Sequence, residues 1–186
     1  SGKESTIYKS VKIIQEYTNK ISGVEIDISK NIPVGAGLGG GSSNAASTLV
    51  ALNILWDIGL NKDVLMEIGS SIGADVPFFI YGKNASGVGI GDKLKEVNPI
   101  DNNILVISPN INNSTKKMFS LLEEWKVNNN IKDLSKQNHF WNVYIEKNPE
   151  INFFYDQISQ DNKIYLSGTG SSMFMLYKNK YEVKKI

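Results

Sequence analysis

Cysteine does not occur among the 186 residues, which excludes a disulfide framework, a thiolate metal site and a cysteine nucleophile, and agrees with a reducing, cytoplasmic setting. A single histidine leaves no second imidazole for a transition-metal cluster. That residue, His139, has polar neighbours in a stretch that reads as helix, so it is expected as an exposed helical residue. An excess of charge of one sign is also lacking: 20 Lys and Arg stand against 19 Asp and Glu, a formal net charge of +1. No global field therefore favours nucleic acid or an anionic membrane surface. Long apolar runs are missing too. Stretches such as 76–81 fall far short of the roughly 20 residues that cross a bilayer, and the first residues lack the basic, apolar and small-residue zones of a signal peptide. What remains is a soluble protein whose expected partner is a small molecule, with neither nucleic acid nor membrane as a ligand.

With 41% apolar and 21% charged residues, the chain has enough material for one large domain or two small ones. Helical spacing of Ile7, Val11 and Ile14 predicts a helix over 4–19. Val24, Ile26 and Ile28 alternate with Glu25 and Asp27 and predict a strand. Helices are expected over 44–56 and, after an Asn61 cap, over 62–72. Strands are expected at 76–81, 85–91 and 104–108, helices at 116–125, 134–145 and 150–158, and strands again at 164–166 and 173–177. Residues 178–186 read as the start of a further helix. Trp56, Trp125 and Trp141 lie in helical patterns and read as core anchors. The pattern is α+β.

Glycine is abundant in one place. Four glycines fall in the span Gly37 to Gly41, followed by Ser42, Ser43 and an alanine-rich helix. Such a backbone turns tightly and brings its amides close to a ligand. The helix N-terminus adds unpaired N–H groups and a positive dipole end, and the serine hydroxyls suit a phosphate oxygen or a magnesium ion. Gly35, Gly37 and Gly40 match the spacing of a dinucleotide fingerprint, but that fold needs a strand after the helix, and a second helix is expected here. A Walker loop needs Lys after its last glycine, where this chain has Ser42. A flexible surface linker is the bland alternative, and an immediately following periodic helix argues against it.

Asp75, within Gly73-Ala74-Asp75-Val76-Pro77, is by residue type either a capping residue or a general base. A phosphoryl-transfer enzyme needs such a carboxylate and little else beyond positioning and charge stabilisation. Leu166-Ser167-Gly168-Thr169-Gly170-Ser171-Ser172 reads as a turn between two strands, whose glycines equally allow a substrate against the backbone.

Together these three segments resemble the GHMP kinase superfamily, which has a glycine-serine phosphate loop, a Gly-Ala-Asp-Val-Pro segment and a late Gly-Thr-Gly turn. Coverage extends over almost the whole chain. The resemblance implies a two-lobed α+β fold, its N-terminal lobe like domain 2 of ribosomal protein S5 and its C-terminal lobe ferredoxin-like, with the N-terminal strands missing. Residues 1–109 would be the ATP-binding lobe and 110–186 the substrate-binding lobe, both incomplete. Within the family, Pro33-Val34-Gly35-Ala36-Gly37-Leu38-Gly39-Gly40-Gly41-Ser42-Ser43-Asn44-Ala45-Ala46 and the Leu-Ser-Gly-Thr-Gly-Ser turn resemble the branch that phosphorylates the 2-hydroxyl of a cytidine diphosphate-linked methylerythritol in non-mevalonate isoprenoid biosynthesis.

That branch implies ATP and Mg2+, with Asp75 catalytic and Pro33, Gly35, Gly37, Leu38, Gly39, Gly40, Gly41, Ser42 and Ser43 on the nucleotide, Ser43 also on the metal. Lys30 matches a position near the nucleotide base. Gly73, Thr115, Phe119, Gly168, Thr169 and Gly170 match the substrate side, Phe119 as a packing surface. Another GHMP kinase with a different alcohol, and a non-catalytic nucleotide-binding relative, are the alternatives. The family's Pro-Ala-Lys-Asn-like motif, whose lysine assists the catalytic Asp, and its Gly-Tyr-His segment do not occur in the 186 residues. The chain is therefore expected to be part of a longer protein, with little kinase activity by itself.

Overall fold

In the computed structural model, residues 5–19, 22–88, 93–109, 111–129, 138–159 and 163–178 are described. They belong to two compact units that do not follow chain order: Ser1–Lys30 with Gly39–Pro99, and Asn31–Leu38 with Ile100–Ile186.

The first unit is built on helices. Ser5 caps α1 (Thr6–Thr18) by accepting from the Tyr8 N–H at 3.2 Å, and Asn19 closes it in the left-handed conformation. Ile7, Ser10 and Ile14 form its buried stripe. Small residues let α2 (Gly40–Leu55) approach α1 closely: the buried Ser10 hydroxyl donates to the Thr6 carbonyl at 2.9 Å and lies 3.3 Å from that of Ala45. Asn61 caps α3 (Lys62–Ser70) as expected, accepting from the Val64 N–H at 3.0 Å. Next comes α4 (Val76–Tyr81). A Cβ on Gly69 of α3 would lie 2.9 Å from side-chain atoms of Val76 and Ile80, so these helices meet at a glycine. Leu49, Leu52, Trp56, Leu65, Ile68, Val76 and Ile80 join Ile14 in the core. Two strands, β1 (Ala85–Val88) and β2 (Lys93–Glu96), pair antiparallel, with Ala85 opposite Glu96.

In the second unit, β5 (Met173–Tyr177) lies between β3 (Asn103–Ile107) and β4 (Ile164–Leu166), antiparallel to both. Ile107 and Leu166 both register with Met173. Side chains alternate across a strand, so Met173 and Met175 share one face. That face is buried with Ile164 and Leu166 among Met118 and Leu122 of α5 (Thr115–Asn128), Val143 and Tyr144 of α6 (Trp141–Lys147), and Ile151 and Ile158 of α7 (Pro149–Ile158).

Several expectations need correcting. Residues 76–81 form a helix, not a strand: Pro77 stands in its first turn, where a missing N–H costs nothing, and Gly82 ends it in the left-handed conformation. Residues 24–28 are not in a strand, because no strand among the described residues pairs with them. Of the helix expected over 134–145, residues 134–137 lie outside the described residues. Asn138–Phe140 is a turn, the Asn138 side chain accepting from the Phe140 N–H at 2.9 Å, and the helix starts at Trp141. His139 is thus an exposed turn residue. The end of the strand expected to Gly91 and nearly all of the helix expected over 178–186 also lie outside the described residues. β2 was not expected, since Leu94 is its only apolar residue. Trp56 is a core residue, whereas Trp125 and Trp141 are partly buried at the margin of the second core.

Candidate functional site

The first half of the glycine loop is held within the second unit by the second glycine turn. Successive loop carbonyls are each engaged: Gly35 accepts from the Asn113 N–H at 3.0 Å, Ala36 from the Ser172 N–H at 3.0 Å, and Gly37 from the Ser167 hydroxyl at 2.8 Å. Gly35 and Gly37 have φ of 69° and 72°, the region that L side chains avoid. A Cβ on Gly37 would also sit 2.1 Å from the Ser167 carbonyl oxygen. The need for glycine at Gly37 is therefore imposed by the protein's own backbone. Leu38 is half-buried, and Pro33 is exposed.

Opposite the loop, the turn closes with the Gly170 N–H donating to the Ser167 carbonyl at 2.9 Å. Gly168 and Gly170 both have positive φ. Thr169 is buried, and its carbonyl lies 3.5 Å from the Asn113 side-chain amide. Asn138 donates to the Gly168 and Leu166 carbonyls at 2.8 and 3.0 Å, and the Tyr144 hydroxyl to the Ser171 carbonyl at 3.2 Å. Burial, with the Glu150 carboxylate adding to it, pushes the Tyr144 hydroxyl up to about 12. The structure thus joins two motifs that the sequence presents far apart. Asn113, Asn138, Tyr144 and Ser167 were not singled out, because their bonds run to backbone carbonyls remote in sequence.

The second half of the loop belongs to the first unit. Gly39 caps α2 in the left-handed conformation and offers no side chain to the first turn. A helix leaves its first N–H groups without intrahelical acceptors, so at Gly40, Gly41 and Ser42 the backbone presents donors. Ser42 and Ser43 are half-buried in that turn, which carries no acidic residue of its own. The Thr6 hydroxyl ties α1 to the turn, donating to the Gly41 carbonyl at 2.9 Å. A Cβ on Gly39 would lie 2.7 Å from the Phe79 ring of α4.

Asp75 opens that same helix. It occupies the cap position, yet its carboxylate makes no capping bond and is exposed. The capping alternative for this residue is therefore not realised. Gly73, half-buried, accepts from the Val76 N–H at 3.0 Å in the preceding turn. Lys30 is exposed in the irregular segment before the loop.

In the second unit, Thr115 and Phe119 lie on an exposed side of α5. Phe119 is 54% exposed and meets the edge of Phe140, with ring centroids 4.9 Å apart at 82°. Phe140 falls inside the helix expected over 134–145, where nothing in the sequence marks it as a partner of Phe119.

Comparison with known proteins identifies the family. The family described as GHMP kinases N terminal domain matches residues 5–83. A 4-diphosphocytidyl-2-C-methyl-D-erythritol kinase of Francisella philomiragia subsp. philomiragia is 40% identical over 193 residues, covering 100% of this chain and 70% of its own length. The protein of that name from Clostridioides difficile is 40% identical over 197 residues, covering 95% and 67%. A crystal structure of 4-(cytidine 5'-diphospho)-2C-methyl-D-erythritol kinase matches with a TM-score of 0.74 at 26% identity, covering 99% of this chain and 73% of that one. Homoserine kinase from Cytophaga hutchinsonii matches at 0.72 and 16% identity, over 99% and 70%, which shows a shared fold alone. The chain spans about two thirds of the length of the curated relatives it matches. It belongs to the GHMP kinases, on the branch of the 4-diphosphocytidyl-2-C-methyl-D-erythritol kinases.

Proposed function

We propose that this protein transfers the γ-phosphoryl group of ATP to the 2-hydroxyl of 4-diphosphocytidyl-2-C-methyl-D-erythritol, a step of non-mevalonate isoprenoid biosynthesis in the cytoplasm. The observation that carries the proposal is the start of α2, where a left-handed Gly39 without a capping side chain leaves the first-turn N–H groups to a ligand. Phosphate oxygens accept from such donors, and the helix dipole favours their charge. Gly35, Gly37, Leu38, Gly39, Gly40, Gly41, Ser42 and Ser43 are the proposed phosphate cradle, with Lys30 and Pro33 toward the nucleoside.

Asp75 is the proposed base. Its carboxylate takes the hydroxyl proton as the new O–P bond forms; the bond from the γ-phosphorus to the β,γ-bridging oxygen breaks, and ADP leaves. A carboxylate free of a capping bond and open to solvent is available for that task. Gly73, Thr115, Phe119, Gly168, Thr169 and Gly170 are assigned to the acceptor. The exposed Phe119 ring is suited to packing a flat or apolar part of it. The hydroxyl of Ser43 is a hard oxygen donor of the type magnesium takes, and fits the metal together with phosphate oxygens. Bound there, Mg2+ supplies charge neutralisation that a loop without lysine lacks.

The test is phosphoryl transfer from isotopically labelled ATP by the full-length gene product, with the phosphorylated product identified by phosphorus NMR. A new monoester on the tertiary 2-hydroxyl is expected. Transfer to homoserine instead, or ATP hydrolysis with no acceptor dependence, would defeat the assignment.

A further inference from the structure

Ser167 has no place in the site assigned above, yet its hydroxyl spans 130 residues of sequence to reach the Gly37 carbonyl at 2.8 Å. The contact sits in a row. Gly35, Ala36 and Gly37 give their carbonyls, in order, to Asn113, Ser172 and Ser167. A trans peptide is planar, so its N–H points opposite its carbonyl. Fixing these carbonyls therefore fixes the N–H groups of Ala36, Gly37 and Leu38. At the end of the row, among the described residues, the Ser167 side chain alone holds the carbonyl of Gly37, whereas the two before it are held by backbone donors.

We infer that Ser167 is a positioning residue for the nucleotide: by holding the Gly37 carbonyl it sets the direction of the Leu38 N–H, and so prepares the loop for phosphate before ATP arrives. The inference rests on the kinase function proposed above and gives the second glycine turn a task there beyond contact with the acceptor. Preorganisation matters because a loop that must be ordered on binding gives up part of its affinity. Gly37 is free of a side chain, and its backbone lies directly on the turn. Without the Ser167 bond the Gly37–Leu38 peptide loses the hydrogen bond that fixes its carbonyl, and the affinity lost appears on the nucleotide side.

Calorimetric titration of the protein with Mg-ATP and, separately, with the cytidine diphosphate-linked substrate tests this. In Ser167→Ala, ATP affinity should fall about five- to tenfold, the worth of one ordinary hydrogen bond, while acceptor affinity stays unchanged. Ser167→Thr, which keeps the hydroxyl, should restore ATP binding. In turnover, the KM for ATP should rise with kcat preserved. If Ser167→Ala melts below the assay temperature, Ser167→Cys, which keeps the bulk but donates weakly, serves for the same comparison. Unchanged ATP affinity in a folded variant, or a loss confined to the acceptor, overturns the inference. Absence of ATP binding by the unsubstituted protein would instead bring down the kinase assignment itself, and this inference with it.

Discussion

At the scale of single residues, Gly37 and Gly59 separate two reasons for glycine. Both have positive φ, 72° and 77°, but a Cβ on Gly59 meets nothing within 4 Å, whereas one on Gly37 meets the Ser167 carbonyl oxygen at 2.1 Å. Gly59→Ala should cost about 1 kcal/mol of stability, the conformational penalty alone. Gly37→Ala should cost about 3 kcal/mol or more, since neither backbone can yield without breaking its own bonds. Urea unfolding of the two variants measures the difference, and equal losses would refute the close approach. Asp75→Asn, at the proposed base, should lower kcat by about a hundredfold or more. Its melting temperature should not change, because the exposed carboxylate caps nothing.

Tyr144 gives a pH prediction of definite sign. Its hydroxyl ionises near 12 in the folded protein, raised chiefly by burial and then by Glu150, against about 10 for a free tyrosine. Below the unfolded value both states hold the proton and stability is independent of this group. Between the two values the unfolded chain loses its proton first, so stability falls as pH rises from about 10 to about 12. Chemical denaturation across that range should show the loss in the parent protein and a shallower slope in Tyr144→Phe.

At the scale of elements, what was legible depended on length and on where the hydrogen bonds go. Helices α1 and α3 announce themselves by periodicity, α2 by the alanine-rich apolar run after the glycine loop, and Asn61 by its place just ahead of an apolar stripe. Asn61→Ala should cost about 1 kcal/mol, the usual worth of such a cap, read by thermal or urea unfolding. The six residues of α4 were misread because a short, wholly apolar run has no period to distinguish helix from strand. Its punctuation carried the answer: Pro77 at the start and Gly82 at the end are helix signals. The alternation at 24–28 is a true pattern without an effect, since a strand exists only through a paired neighbour. The glycine loop was legible from composition as a tight turn that opens a helix. Its anchoring was not, because Asn113, Ser167 and Ser172 lie 78 to 136 positions further along the chain from the carbonyls they hold.

At the scale of the molecule, Asn31–Leu38 is the segment that sequence order misplaces. It lies between residues of the first compact unit yet belongs to the second, where Ala36 is 2% exposed and its carbonyl accepts from Ser172. A charge at Ala36 should therefore damage the second unit, although the position is early in the chain. The tryptophans allow each unit to report separately, since Trp56 lies in the first core while Trp125 and Trp141 flank the second. Ala36→Asp buries an unpaired carboxylate, which should destabilise its surroundings by about 2 kcal/mol or more. With Trp56 replaced by Phe, fluorescence from Trp125 and Trp141 should show a clearly lower urea midpoint in Ala36→Asp. With Trp125 and Trp141 replaced by Phe, the midpoint reported by Trp56 should move less. A larger shift at Trp56 would place the segment with the first unit and refute the assignment. The expected order follows from hydrogen bonds within the second unit, and the pattern of apolar residues along the sequence does not contain it.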